Sequence, residues 1–390
     1  MPKTNRGPWV LAAGAAVQLL AGVPAAWGVF QQPVMRGYGF PRGQATLCFA
    51  VLVAGYGVGC TLGGLLQDAR GPRAAALAGT ALLGGGFLAG ALAPWGNAPL
   101  FLLAYSLPVG LGSAFLAPAV LACAQKWYAG RKGLATGVAG VSMGLSGAFL
   151  TLFVRLVGGA WGIRVCFAAL AAVVFVVCGA GAAILQDPPA RANAPLPGQT
   201  PGQMLRTRQY RLCLAAVALA APPVLLFSPD ILQIATDRGV PPNAAALCVV
   251  AGSAASAAGR LLCPALSDRW GRKAVLSGVY AGLAVGSGLF AFAGGWWVVG
   301  AYALLTFFYS GGAAVQPAWN TDLFGLRHAG VNYGFLALGM SGGSLLSYAG
   351  NRLLPTMPRH WAGAVCAVAG AVCVAFVKPL GNVEKKGRSR

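Results

Sequence analysis

The chain is 390 residues long, 57% hydrophobic and only 9% charged, a balance far too apolar for a soluble globular protein and typical of a multi-pass membrane protein. Its net charge of +21 would suit a nucleic-acid partner, but the 28 basic residues are scattered among loops and are not gathered into a domain, which excludes that class. A soluble enzyme is excluded too: the seven acidic residues are mostly in loops, and no nucleophile triad, paired carboxylate, phosphate loop or metal cluster is legible.

Apolar runs of about 20 residues predict twelve spans, near residues 8–30, 44–67, 74–94, 98–122, 134–154, 163–185, 210–234, 244–267, 274–293, 296–318, 331–350 and 361–378. Lys3 and Arg6 precede the first run as in a signal peptide, but the run continues too long and eleven more follow, so it reads as span 1. After span 2 comes Gly64-Leu-Leu-Gln-Asp68-Ala-Arg70-Gly71-Pro-Arg73. Pro264-Ala-Leu-Ser-Asp268-Arg269-Trp-Gly271-Arg272-Lys273 repeats it two hundred residues later, after span 8.

A second landmark keeps this spacing to within one residue, its proline falling 50 residues after Asp68 and 49 after Asp268. Gly112-Ser-Ala-Phe-Leu-Ala-Pro118 follows the first tract as Gly311-Gly-Ala-Ala-Val-Gln-Pro317 follows the second. The chain therefore reads as a duplication: a six-helix half over residues 1–185, a polar linker over 186–208, a second half over 209–378, and a basic tail over 379–390. Placing both chain ends in the cytoplasm puts most basic residues there, Arg70, Arg73, Lys126, Arg131, Lys132, Arg269, Arg272, Lys273 and the tail included. The ten cysteines lie in or beside spans with no metal or disulfide spacing, and no cofactor is called for. His328 and His360 fall in loops, and glycines such as Gly137, Gly140, Gly144 and Gly147 recur at the spacing that lets helices approach closely.

The paired Gly-x-x-x-Asp-x-x-Gly-x-Arg tracts resemble the cytoplasmic loop signature of the major facilitator superfamily, the second copy having Pro264 in place of the leading glycine. The resemblance implies an all-α fold of twelve helices in two pseudo-symmetric halves. It also implies a conformational latch made by Gly64, Asp68, Gly71, Arg73, Asp268, Gly271 and Arg272, in which the acid meets basic groups and a helix end. Four further motifs are similar to the oxalate/formate antiporter family and the related monocarboxylate transporters: Gly22-Val-Pro-Ala-Ala-Trp27-Gly-Val-Phe30, Lys126-Trp127-Tyr128-Ala-Gly-Arg131-Lys132-Gly133-Leu-Ala-Thr136-Gly137, Gly259-Arg260 and Asn332-Tyr333-Gly334.

Arg260 sits about seven residues, roughly 10 Å, inside the cytoplasmic end of span 8 among small and apolar neighbours. An uncompensated arginine at that depth costs about 2.5 to 3.5 kcal/mol, so it should face a central cavity and hold an anion through paired hydrogen bonds. The alternative is an arginine bonded to backbone carbonyls of its neighbours. In the resembled families the matching arginine binds the substrate carboxylate. Two departures limit that carry-over: span 11 has no lysine between Tyr333 and Asn351, and Ser256 stands where proton-coupled monocarboxylate carriers hold an acid. One cation suits a monoanion better than a dianion.

Asp230, near the outer end of span 7, reads either as a proton site or as an interfacial carboxylate beside Asp237 and Arg238, the latter being favoured. Further candidates for the cavity wall are Trp27, Gln31, Tyr56, Phe115, Phe227, Tyr309, Gln316, Asn320, Asn332 and Tyr333. The expectation is secondary active transport of small organic anions by alternating access: monocarboxylates such as lactate or formate, or oxalate. The carrier is expected to act as a monomer in the inner (plasma) membrane, with protons or a counter-anion as coupling partner. An exporter of hydrophobic drugs or another neutral solute is the rival reading, and a non-transporting membrane sensor a third.

Overall fold

A computed structural model gives the fold and describes residues 6–128, 132–188, 198–325, 327–353 and 359–378. Those residues are almost wholly helical. Eight helical stretches are long and apolar enough to cross a membrane. Two of them, Arg42–Leu92 and Ala135–Ile184, are each a double pass bent at a glycine of non-helical geometry, Gly71 and Gly162. With the broken helix between Gly7 and Tyr38 and the helix Ala329–Leu353, the described chain makes twelve passes, as the apolar runs predict.

The passes are named in order. α1 comprises Gly7–Ala21, a tight turn at Val23–Ala26 and Trp27–Tyr38; α2 covers 42–70 and α3 72–92; α4 is Ala98–Trp127. α5 covers 132–161 and α6 163–184. α7 is the segmented stretch Arg208–Asp237, and α8 is Leu247–Trp270. α9 is Arg272–Phe292, α10 Trp297–Phe324, α11 Ala329–Leu353 and α12 Arg359–Phe376. A short helix, Pro201–Leu205, precedes α7 and carries a full capping box from Thr200 and Gln203.

Both repeat tracts fold as their glycines demand. Gly71 (φ 83°, ψ 172°) and Gly271 (φ 87°, ψ 149°) turn the chain between α2 and α3 and between α8 and α9. A side chain at either would meet no neighbouring atom within 4 Å. Glycine is needed there for the backbone angle, not for space.

The outward faces are apolar, with Leu65, Leu77, Leu88, Leu152, Val176, Val285 and Phe292 exposed, as a lipid-facing surface requires. Exposed Trp95, Trp161, Trp296, Trp297 and Trp361 stand at helix ends on the face remote from the chain ends, the position of an interfacial aromatic belt. Inside the first six passes an aromatic core joins Phe30, Tyr38, Phe87, Phe101, Tyr105 and Phe167, with Tyr105 stacked on Phe167 at 4.7 Å.

The two sets of six passes meet along two antiparallel helix pairs, α2 with α11 and α5 with α8. Glycine makes both pairs tight. A Cβ on Gly334 of α11 would lie 2.6 Å from Thr61 Cα, one on Gly64 2.9 Å from the Gly330 carbonyl oxygen, and one on Gly144 of α5 2.5 Å from Ala257 N. Close backbone approach replaces the interlocking of large side chains as the packing device within the bilayer. Ser341 and Ser344 of α11 add hydrogen bonds to the Ala54 and Ala50 carbonyls of α2, at 2.6 and 3.0 Å.

Candidate functional site: a cavity between the two halves

A cavity of about 120 Å³ opens where the two sets of helices face each other. This is room for several waters or one small organic molecule. From α2 it receives Val53 and Tyr56, from α5 Met143, from α7 Leu225 and Ser228, and from α11 Tyr333 and Met340. The richest contribution comes from α8 and α10: Val249, Ser253, Ser256 and Arg260 on the first, Tyr302, Thr306, Tyr309 and Ser310 on the second. The break in the middle of α1, at Gly22 and Pro24, completes the wall.

Among the described residues, Arg260 is the single charged one of that lining. Its Nε is buried with no hydrogen-bond partner, and among the described residues it makes no hydrogen bond or ion pair. The glycine stripe of α5 lets the arginine-bearing helix come close, since a Cβ on Gly140 would lie 3.3 Å from Arg260 Cβ. Around it the wall is fixed by short polar ties. Ser256 Oγ donates to Ser310 Oγ at 2.7 Å, Tyr302 donates to Ser228 Oγ at 3.1 Å, and Thr306 Oγ1 donates to the Gly252 carbonyl at 3.1 Å. These bonds join α8 to α10 and α10 to α7, so the cavity wall is set before any ligand arrives.

Four of the sequence candidates therefore share one cavity: Tyr56, Arg260, Tyr309 and Tyr333. The others lie elsewhere. Trp27, the first residue after the break at Val23–Ala26, is fully buried in the core of the first half, 6.5 Å from Phe49 and 6.1 Å from Tyr105. Phe115 packs against Gly63 and Gly79, and Phe227 lies 4.6 Å from the Phe290 ring. Gln316 lines an adjoining narrow crevice, beside Tyr280, that shares Tyr309 and Met340 with the cavity.

Asn320 and Asn332 lie near the chain-end face, where Asn332 donates to the Gln199 carbonyl at 3.2 Å and Asn320 to the Ala329 carbonyl at 3.5 Å. Gln31 points to the far face and donates to Asp230 Oδ1 at 2.6 Å. Ser228, Ser253, Tyr302, Thr306 and Ser310 escaped the sequence reading because hydroxyls are commonplace in membrane helices. For Ser253 on α8, and for Tyr302 and Thr306 on α10, the helical spacing to Arg260 and to Tyr309 is the signal that could have found them; Ser228 and Ser310 carry no such signal.

At the chain-end face the first tract reaches across to the second half. The Asp68 carboxylate lies at the first turn of α11: the Val331 backbone amide is its hydrogen-bond partner, and Oδ1 would be 3.1 Å from a Cβ on Gly330. The second tract stays within its own half. Asp268 pairs with Arg272 at 2.6 Å, and Arg272 also reaches Asp322 at 3.2 Å. Arg73 is exposed, while Arg131 and the basic tail lie outside the described residues.

Two helical halves facing each other across a shared cavity are the architecture of a membrane carrier. The family model of the Major Facilitator Superfamily matches the chain twice, over residues 11–229 and 212–390, and the chain belongs to that superfamily. It is 29% identical over 349 residues to an uncharacterized 38 kDa protein in the 23S RNA operon of Thermoproteus tenax, covering 87% of each chain. To the uncharacterized MFS-type transporter YhjX of Escherichia coli (strain K12) it is 27% identical over 355 residues, again 87% of each. Among solved structures it is similar to FucP, a Major Facilitator Superfamily transporter captured in the outward conformation. The TM-score is 0.67 and the identity 15%, over 95% of this chain and 99% of that one. A single-substitution variant of the E. coli fucose:proton symporter FucP matches equally well, at 17% identity and TM-score 0.67, over 95% of this chain and 98% of that one. At those identities the likeness establishes the fold.

Proposed function

We propose that this transporter carries small organic anions, and monocarboxylates in particular, by alternating access of one cavity to the two sides of the membrane. Arg260 carries the reading: among the described residues it is a cation with no counter-ion, in a cavity lined by no acid. A guanidinium left unpaired at that depth is costly, and a carboxylate bound through two parallel hydrogen bonds relieves the cost while gaining orientation. Tyr56, Tyr309 and Tyr333 place three phenols in the same cavity, and hydroxyl donors of this kind complete the shell of a carboxylate.

The cavity is small and holds a single positive charge, which favours a compact monoanion over oxalate or a large hydrophobic drug. Neutralising Arg260 lowers the barrier to passage through the closed intermediate, so the loaded carrier crosses more readily than the empty one. The halves, residues 1–185 and 209–378, move on the glycine-lined pairs α2/α11 and α5/α8. We place the chain ends in the cytoplasm and the carrier in the inner (plasma) membrane, on the basis of its basic loops.

Ser256, bonded to Ser310, leaves no acid beside the arginine, which favours exchange against a counter-anion over a proton relay at that position. The test is uptake of radiolabelled formate, lactate, oxalate and fucose into proteoliposomes, with and without internal anion or a pH gradient. Saturable uptake of a monocarboxylate that is lost in Arg260→Ala and weakened in Arg260→Lys is the expected result. Fucose uptake indifferent to Arg260 would overturn it.

A further inference from the structure

The far face of the bundle holds a second set of contacts between the halves that the carboxylate reading does not use. Asp230 sits where α7 is interrupted by the turn Ser228–Asp230. Its side chain is 5% exposed although it stands near a helix end. Four hydrogen-bond and ionic contacts converge on it. Gln31 Nε2 of α1 donates to Oδ1 at 2.6 Å, and Arg42 at the start of α2 donates through Nε at 2.9 Å and pairs through its terminal nitrogen with Oδ2 at 2.9 Å. Arg359, the first residue of α12, pairs with Oδ2 at 3.4 Å.

Gln31 and Arg42 belong to the first six passes, Asp230 and Arg359 to the last six, so one carboxylate ties the halves together. The arginines are 49% and 40% exposed; the clasp is therefore buried at its acid and open to water at its bases. Beside it Gln32 approaches Gln233 across the same seam at 3.5 Å, while Gln233 also bonds Asp237 at 2.6 Å. Backbone packing closes this end as well, since a Cβ on Gly28 of α1 would lie 3.0 Å from the Ser228 carbonyl oxygen.

We infer that Asp230, with Gln31, Arg42 and Arg359, is the external gate of this carrier: a clasp that must part for the cavity to open outward and that reforms to close it. Removing a single partner leaves a buried carboxylate or a guanidinium without its mate, so each contact contributes more than an exposed surface pair would. Arg359 stays on the side of Asp230 when the halves separate, which leaves the carboxylate a partner in the open state. Gln31 and Arg42 are the contacts that must break. This inference rests on the alternating-access reading and on the outward placement of this face, and is independent of the identity of the substrate.

The test is accessibility of the cavity from outside. A cysteine is introduced at Val53, a buried cavity residue, in the full chain expressed in intact cells, and its reaction rate with a membrane-impermeant methanethiosulfonate reagent is followed. Adding Asp230→Asn is expected to raise that rate about tenfold, and Arg42→Gln to raise it by a smaller factor. Exchanging the partners, Asp230→Arg with Arg42→Asp, should bring the rate back toward the parent value. Equal rates in the parent and in Asp230→Asn overturn the inference; if Asp230→Asn does not reach the membrane, equal rates in the parent and Arg42→Gln do so. A rise seen only in inverted vesicles overturns the assignment of this gate to the outside. The reaction requires no substrate, so its outcome is separate from that of the carboxylate reading.

Discussion

One tract occurs twice in this chain, and its two copies share a backbone but not a task. Gly71 and Gly271 adopt nearly the same angles, φ 83° and 87°, and make the same turn. The acids three residues earlier part company. Asp68 crosses to the other half and meets the Val331 amide at the start of α11, where the exposed N–H groups of a helix favour a negative charge. Asp268 is 63% exposed and pairs with Arg272 one turn further along its own half. Duplication preserved what the local backbone requires, and the contact between halves was left free to become one-sided.

The sharpest way to break the asymmetry is steric. Gly64 lies against the Gly330 carbonyl, 2.9 Å from where its Cβ would stand, whereas the second copy tolerates a proline, Pro264, at the same place. Gly64→Val should push α2 off α11 and reduce uptake by about a hundredfold, since over-packing against backbone costs up to about 3 kcal/mol. Pro264→Ala should leave uptake within about twofold. Initial rates of the two variants at equal amounts of protein in proteoliposomes make the comparison. Equal losses would show that both copies bear on the contact between halves.

Asp68→Asn comes next. Loss of a charge at a helix N-terminus is worth about 0.3 to 2 kcal/mol, so uptake should fall by about fivefold while the chain-end face opens more readily. A cysteine at Tyr333, within the cavity, should then react faster with an impermeant reagent in inverted vesicles. No change in that rate would mean the Val331 contact does not hold the face closed.

A smaller effect is expected where the copies are alike. Gly71→Ala and Gly271→Ala each force a side chain into backbone angles that are essentially glycine-only, at about 1 to 3 kcal/mol. Both should lower the melting temperature in detergent by similar amounts. A loss confined to one of them would show that the turns are not equivalent after all.

What could be read from sequence divides along the same line. The twelve passes and the turn glycines were legible because each is a local contradiction that one environment resolves, long apolar runs and a glycine after a helix end; Arg260, a guanidinium among alanines, stood out in the same way but left two environments open, the cavity or neighbouring backbone carbonyls. Partners were not legible where the partner is a backbone group or lies far away along the chain. The Val331 amide has no side-chain signature. Arg42 and Arg359 look like loop charges until the fold brings them to Asp230, 188 and 129 residues away. Trp27 and Gln31 were expected beside a substrate, but both lie beyond the interruption at Val23–Ala26, where one enters the aromatic core and the other meets Asp230.

The least effect belongs to Asp268. Its exposed i,i+4 pair with Arg272 is worth about 0.5 kcal/mol or less, and Arg272 keeps a second acid in Asp322 at 3.2 Å when the first is removed. Asp268→Asn should therefore change uptake by less than about twofold and leave the reactivity of a cysteine at Tyr333 at its parent value. Asp322→Asn should behave alike, and only the double variant, which leaves Arg272 without a carboxylate, should show a measurable loss of thermal stability. If Asp268→Asn instead matched Asp68→Asn, the second tract would have to reach across the halves in another state of the cycle. The one-sided latch would then be one half of an alternating pair.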